Sequence, residues 1–324
     1  MSDSALDAHV GSRTGRGAGT SPAPRPGPRP SEASRTALRL LPVVPAIALM
    51  AVFLAGPIGY ALYGSLTDAA LTGYRAVNPS FVGVDNYVRL FASGDFWLSV
   101  WLTLLFTVAS AVVGQNALGM AVALLLRNGP RRLGSVVSGL VVTAWVMPEI
   151  VAAFALYAFF STDGTLNAAL AAAFGWAGLG GTTWLISFPM FAVILANIWR
   201  GTAFSMMVYN AALAEVPPEI MESAQIDGAT GLQRFVRITL PMVRRAIATN
   251  MMLTTLQTLG VFTLIWVMTG GGPGTDSSTL PVLAFQQAFK FAQVGYGTAI
   301  AVVTIAVGAV FALVYVRVLK PEVD

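Results

Sequence analysis

Residues 216–241 read VPPEIMESAQIDGATGLQRFVRITLP, a polar, helix-forming stretch lodged between two long apolar runs. Pro217 and Pro218 cannot extend a preceding helix but suit a first turn. Glu219 and Glu222 place negative charge at the positive end of that turn's dipole. A helix is therefore expected from about Pro218. Asp227-Gly228 is a turn signal where the chain can take a positive φ without a Cβ penalty, and Thr230 with Gln233 three residues later has the spacing of a capping box. A second helix is expected from about Gly231, with Leu232, Phe235 and Val236 on one face and Arg234 and Arg237 off it. Pro241 opens the next apolar run.

The 324 residues are 56% hydrophobic and 10% charged, with a mean hydropathy of +0.70. Such values exclude an ordinary soluble globular protein and indicate several membrane spans. The absence of Cys removes disulfides and thiolate chemistry, and the one His, His9, lies near the N-terminus, so no His-dependent metal cluster or triad is available. Residues 1–36 are rich in Gly, Pro, Ser and Arg and poor in the apolar groups that offset ordering entropy. A disordered basic tail is expected there; the apolar run after Arg39 is too long for a signal peptide's core.

Residues 37–324 read as one domain of six apolar runs, approximately 40–66, 97–126, 135–160, 183–208, 243–268 and 296–318. Each reaches the ~20 residues that a helix needs to cross the hydrocarbon core. With the tail inside, fifteen of the nineteen basic residues fall in inside segments and three, Arg75, Arg89 and Lys290, in outside ones, while Arg200 lies within a span. This asymmetry puts both termini and the 216–241 loop in the cytoplasm. Dispersed in this way, the cations form no face for nucleic acid.

ESAQIDGA at 222–229, with Gly228 followed nine residues later by ITLP, resembles the "EAA" loop of binding-protein-dependent ABC importer permeases (E-A-A, three residues, G, nine residues, I-x-L-P). Glu222, Ala224, Gly228, Ile238, Leu240 and Pro241 match at the right spacing; Ser223 stands where the family usually has Ala. FVGVDNYVRLF at 81–91, TGGGPGTDSSTL at 269–280 and AFKFAQVGYGTA at 288–299 are similar to outside segments of the sugar-type permeases typified by maltose and glycerol-3-phosphate importers. The resemblance covers residues 40–318. It implies an all-α membrane protein of six transmembrane helices with a cytoplasmic two-helix coupling loop, in a bacterial cytoplasmic membrane. It also implies four kinds of partner: a second homologous permease subunit, an ATPase dimer, an extracytoplasmic solute-binding protein, and the surrounding lipid. Glu222, Ala224, Asp227, Gly228, Ile238, Leu240 and Pro241 are then the residues expected to couple to the ATPase.

No cofactor is expected in this chain. GGGPG at 270–274 is no phosphate cradle, because a P-loop needs a Gly-Lys pair and the chain has none. ATP and Mg are expected on the partner ATPase.

Ionisable groups at membrane depth cost a few kcal/mol and call for a reason. Glu149, in the third run, and Arg200, in the fourth, are expected to pair with each other, or one of them to meet substrate; a protonated Glu149 and a snorkelling Arg200 are the alternative. Neutral polar and aromatic side chains suit a sugar's hydroxyls and apolar faces. Asn197, Gly201 and Phe204 share one helical face, and Thr254, Gln257 and Thr258 share another. By the resemblance, Asn197, Gly201, Phe204, Thr254 and Thr258 stand at positions similar to sugar-contacting ones in the maltose-type permease, although the fifth run has fewer amides than the family. Helix packing is the competing role for each. Gln115 and Asn116 are read as interhelical hydrogen-bonding residues.

The reading is a permease subunit importing a neutral sugar or polyol by ATP-driven alternating access. A non-sugar solute and an ATP-independent secondary transporter are the alternatives; an intramembrane enzyme is disfavoured because the runs contain no His and no Asp.

Overall fold

Proline and glycine decide where this chain bends. The computed structural model describes residues 43–175 and 181–318; the tail expected at 1–36, with Arg39 and Lys320, lies outside the described residues. Among the described residues there is no strand, only an isolated antiparallel bridge between Thr67 and Phe81.

The chain divides into two compact units, Met1–Ala55 and Gly56–Asp324. In the first, residues 44–55 are helical and wholly exposed, an apolar surface suited to lipid. In the second, helices are long where the sequence is apolar and free of proline.

Among the described residues, four helices are long and apolar enough to cross a membrane: α1 (Val44–Ser65), α3 (Gly94–Asn128), α7 (Pro189–Ala214) and α13 (Val294–Val318). Between α1 and α3 lies the short α2 (Asp85–Phe91). Two further pairs of helices reach that length and apolarity only together, and each pair is bent. Arg132–Val146 and Glu149–Phe174 turn by 112°, and Arg244–Leu259 and Thr263–Thr269 by 51°. These pairs comprise α4 (Arg131–Val146), α5 (Glu149–Phe160) and α6 (Thr165–Phe174), then α10 (Arg244–Leu259) and α11 (Thr263–Thr269). Between them stand α8 (Pro218–Ile226) and α9 (231–242), and α12 (Leu280–Phe285) precedes α13.

The straight run expected at 135–160 is thus two helices. Pro148 offers no N–H and pushes Met147 out of the helical region, leaving both residues extended. The fourth run is displaced for a similar reason. Pro189 occupies the first turn of α7, so Trp184–Ser187 forms a separate turn and α7 runs on to Ala214. In the fifth run Gly260 closes α10 and the chain re-enters helix only at Thr263.

Lipid gives helices little hydrophobic reason to associate, so close approach at small residues and buried polar contacts must hold the bundle. Gly119 of α3 lies against Ser205 of α7. Three apolar clusters complete the core. Leu90, Phe96, Leu280, Leu283, Tyr296 and Ile300 join α2, α3, α12 and α13. A second cluster joins α3, α5, α7 and α11 around Phe106, Phe160, Val193 and Ile265. The third, around Met120, Tyr209, Leu213 and Val243, sits at the end of α7 where the 216–241 stretch begins.

Candidate functional site

The 216–241 stretch folds as two short helices around one corner. Pro217 and Pro218 end the run of α7, and α8 begins at Pro218 with Glu219 in its first turn. At its far end Gly228 N–H donates to Gln225 O at 3.1 Å and Ala229 N–H to Ala224 O at 2.9 Å. With Gly228 at φ +79° this is a Schellman cap, in which a left-handed residue satisfies the helix's last carbonyls. Ala224 therefore supplies a carbonyl to the corner that Gly228 makes. Thr230 and Gln233 then form the expected capping box at the start of α9.

Two side chains anchor this pair. Met221 and Phe235 pack against the cluster at the base of α3, α7 and α10. Arg234 donates to Gln225 Oε1 at 2.9 Å, tying α9 to α8. From the end of α3, Arg127 donates to Leu213 O and to Val216 O, the latter at 3.5 Å, so α3 holds the strand of chain that feeds the corner. Beneath it lies a cavity of about 400 Å³ whose lining includes Arg127, Glu222, Gln225 and Arg234.

The opposite surface is apolar and open. Ile226 is 86% exposed and Leu232 73%, with Ile220 and Val236 exposed beside them. Of the three residues expected on one face of the second helix, only Phe235 turns inward. Glu222, Asp227, Gly228, Leu240 and Pro241 are exposed, and Ala224 and Ile238 are half-buried.

In the middle of the bundle, Glu149 Oε2 and Arg200 Nη2 are 3.8 Å apart, with side chains 31% and 27% exposed. Glu149 Oε1 also accepts the Leu264 N–H at 3.3 Å. One carboxylate thus meets α7 and the first turn of α11, an N–H that the break after Gly260 leaves without a helical partner. Arg200 Nε is buried and has no hydrogen-bond partner. Glu149→Gln and Arg200→Gln are each expected to lower the thermal midpoint of the purified protein, with the double variant losing less than the sum by about 1 kcal/mol. Strictly additive losses would show that the two groups act separately.

The other residues expected to meet sugar spend their polar groups on each other. Asn197 Nδ2 donates to Ser110 Oγ at 2.7 Å and to Thr258 Oγ1 at 3.4 Å. Gln115 Nε2 donates to Asn197 O at 3.0 Å, and a Cβ on Gly201 would collide with the Gln115 amide. Thr254 is buried, 3.5 Å from Asn116 Nδ2. Gln257 is exposed, away from Thr254 and Thr258. Phe204 lies 6.4 Å from Trp145, ring to ring.

Sequence reasoning missed two groups. The first is Asn250, whose Nδ2 lies 2.8 Å from Asn116 Oδ1, 2.9 Å from Ser205 Oγ and 3.2 Å from Tyr209 Oη, joining α3, α7 and α10. No local signal marked it, because its partners come from other helices. The second lines a cavity of about 610 Å³ at the Pro189 end of α7, where Tyr157, Asp163, Thr183 and Trp184 meet Thr269 and Pro273. Aromatics mixed with hydroxyls where two runs end were the signal.

Residues 115–324 match the family described as binding-protein-dependent transport system inner membrane component. The chain belongs to that family. Its bent helix pairs and exposed helical pair are therefore features of an inner membrane component. It is 32% identical over 290 residues to the trehalose transport system permease protein SugA of Mycobacterium tuberculosis, covering 89% of this chain and 90% of that one. It is 30% identical over 293 residues to the sulfoquinovosyl glycerol transport system permease protein SmoG of Agrobacterium fabrum, covering 88% and 91%. The trehalose/maltose transport system permease protein MalF of Thermococcus litoralis is 30% identical over 286 residues, covering 87% and 93%. In fold, this inner membrane component resembles a chain of a bacterial ABC transporter involved in alginate import, with a TM-score of 0.74 at 24% identity over 90% of this chain and 98% of that one.

Proposed function

We propose that this chain is one of two permease subunits of an ATP-driven importer that carries a neutral sugar or polyol into the cell, with six spans and both termini in the cytoplasm. One observation carries the reading. The helical pair at 216–241 presents Ile226 and Leu232 to water, 86% and 73% exposed, while its ends continue directly into α7 and α10. An exposed apolar patch on a polar, well-capped element is the surface of a docking element. Its partner here is an ATPase, which binds the ATP and Mg; this chain supplies no catalytic residues. Closure of the ATPase dimer pushes on α8 and α9, and α7 and α10 carry the motion to the bends at Met147–Pro148 and Gly260–Phe262, where access alternates.

Support for sugar as cargo comes from the relatives, which are named for trehalose, maltose and a sulfoquinovosyl glycerol. The paired charges of Glu149 and Arg200 cancel, which suits an uncharged solute. Solute enters at the recess of Tyr157 and Trp184, whose rings and hydroxyls suit a pyranose, and reaches Glu149 about 12 Å along α5. Phe204 and Gln257 are the other residues proposed to meet it. Asn197, Gly201, Thr254 and Thr258 shape that wall by packing.

The test is uptake by the complete importer in proteoliposomes, with neutral and sulfonated sugars in parallel. ATP-dependent uptake of the neutral sugar is expected. Preference for the sulfonated one would overturn the substrate class, and uptake by the chain alone under an ion gradient would overturn the importer.

A further inference from the structure

Asn167 stands in the first turn of α6 and does not itself line the recess at the Pro189 end of α7. Its side chain is nonetheless spent entirely on the segments that wall that recess. Asn167 is 2% exposed. Its Nδ2 donates to Thr162 O and to Thr182 O, each at 2.8 Å, and its Oδ1 accepts the Trp184 indole N–H at 2.8 Å. Both amide hydrogens and the amide oxygen are therefore in use. The partners also fix which way the amide faces, because the two carbonyls only accept and an indole N–H only donates.

The three partners belong to two walls. Thr162 lies in the turn from α5 to α6, beside Asp163, while Thr182 and Trp184 lie on the chain that leads into α7. That turn is tight: a Cβ at Gly164 would collide with the carbonyls of Ala158, Phe159 and Ser161. On the other wall the Trp184 ring is 6.1 Å from Phe188 and 6.4 Å from Phe191, centre to centre. Apolar packing is non-directional, so the bond to Asn167 is what fixes where the indole edge points. A ring held in one orientation takes a ligand without being ordered at the moment of binding, which preserves affinity.

We propose that Asn167 is the positioning residue of this recess. It holds Trp184 at the tilt that receives the apolar face of a neutral pyranose, and it ties to that ring the turn carrying Asp163, an acceptor for the sugar's hydroxyls. The proposal rests on the reading above that solute enters at this recess. Asn167 touches no solute and acts through Trp184.

The experiment measures equilibrium binding of radiolabelled trehalose and maltose to the permease–ATPase complex in nanodiscs, without binding protein. The chains compared are the native one, Asn167→Leu, Trp184→Phe and the double variant. Asn167→Leu is expected to raise the dissociation constant about ten-fold by stripping the indole N–H and two carbonyls of their partner. Trp184→Phe is expected to weaken binding by a similar factor. The double variant is expected to bind no worse than the weaker single one, since two residues acting through one contact are not additive. A purely structural role for Asn167 predicts losses that add. Trp184→Phe leaves both donor bonds of Asn167 in place, so it tests the ring even where Asn167→Leu fails to assemble. Native affinity in Trp184→Phe overturns the proposal, as does native affinity in Asn167→Leu or additive loss in the double variant. ATP-dependent uptake by the complete native importer separates the two failures: its absence for every neutral sugar would instead sink the importer reading itself.

Discussion

A Gly228→Val variant is expected to insert and assemble normally but to hydrolyse ATP with little uptake. A Cβ built at Gly228 meets nothing within 4 Å, so the effect is not a steric clash. It is conformational: φ is +79°, where an L-residue costs about 1–2 kcal/mol and a β-branched one more. That strain is too small to unfold the bundle, because Gly228 itself is exposed and packs in no buried cluster. It is enough to abolish the Schellman bonds from Gly228 and Ala229 to Gln225 and Ala224, and with them the fixed angle between α8 and α9. ATP consumed per solute imported, measured in proteoliposomes, is expected to rise about ten-fold or more, corresponding to a barrier change of ~1.4 kcal/mol. A native ratio would count decisively against the coupling role of this corner.

The second large effect is structural, and two glycines that look alike in the sequence separate it. A Cβ at Gly119 would collide with Ser205 Cβ and stand 2.9 Å from Met206 N and 3.0 Å from Ser205 C. Two of those atoms are backbone, so α3 and α7 themselves must part, an overpacking cost of about 1–3 kcal/mol or more. The three atoms nearest a Cβ at Gly201 all belong to the Gln115 amide, which swings aside at the expense of its bond to Asn197 O, about 1 kcal/mol. Gly119→Val is therefore expected to leave little monodisperse protein in detergent. Gly119→Ala should lower the thermal midpoint more than Gly201→Ala. The reverse order would show that α3 and α7 are not held by this close approach.

The helical pair was legible to the residue because its signals are local. Prolines that start a helix, a glycine that ends one and a Thr-Gln box act over four or five positions, and each stands where the spacing put it. The apolar runs were legible as helical but not in shape. Pro148 was in plain view, yet whether a proline kinks a membrane helix or splits it depends on what satisfies the freed backbone groups, and those partners are set by packing rather than by local spacing. The polar mid-bundle residues were the hardest to read. An amide that grips a neighbouring helix and one that grips a sugar have the same composition and spacing. Asn197 and Thr254 are told apart from exposed Gln257 only by which residues of other helices lie within reach. Asn250 could not be singled out, since its three neighbours come from segments 41 to 134 residues distant.

The bond from Leu264 N–H to Glu149 does more than heal a broken helix. The two bent helix pairs, one turned by 112° and the other by 51°, are joined at their corners by this carboxylate, which also reaches toward Arg200 on a straight helix. In the mechanism proposed above, the two bends share this contact as a common pin, and a push arriving along α7 or α10 would load both.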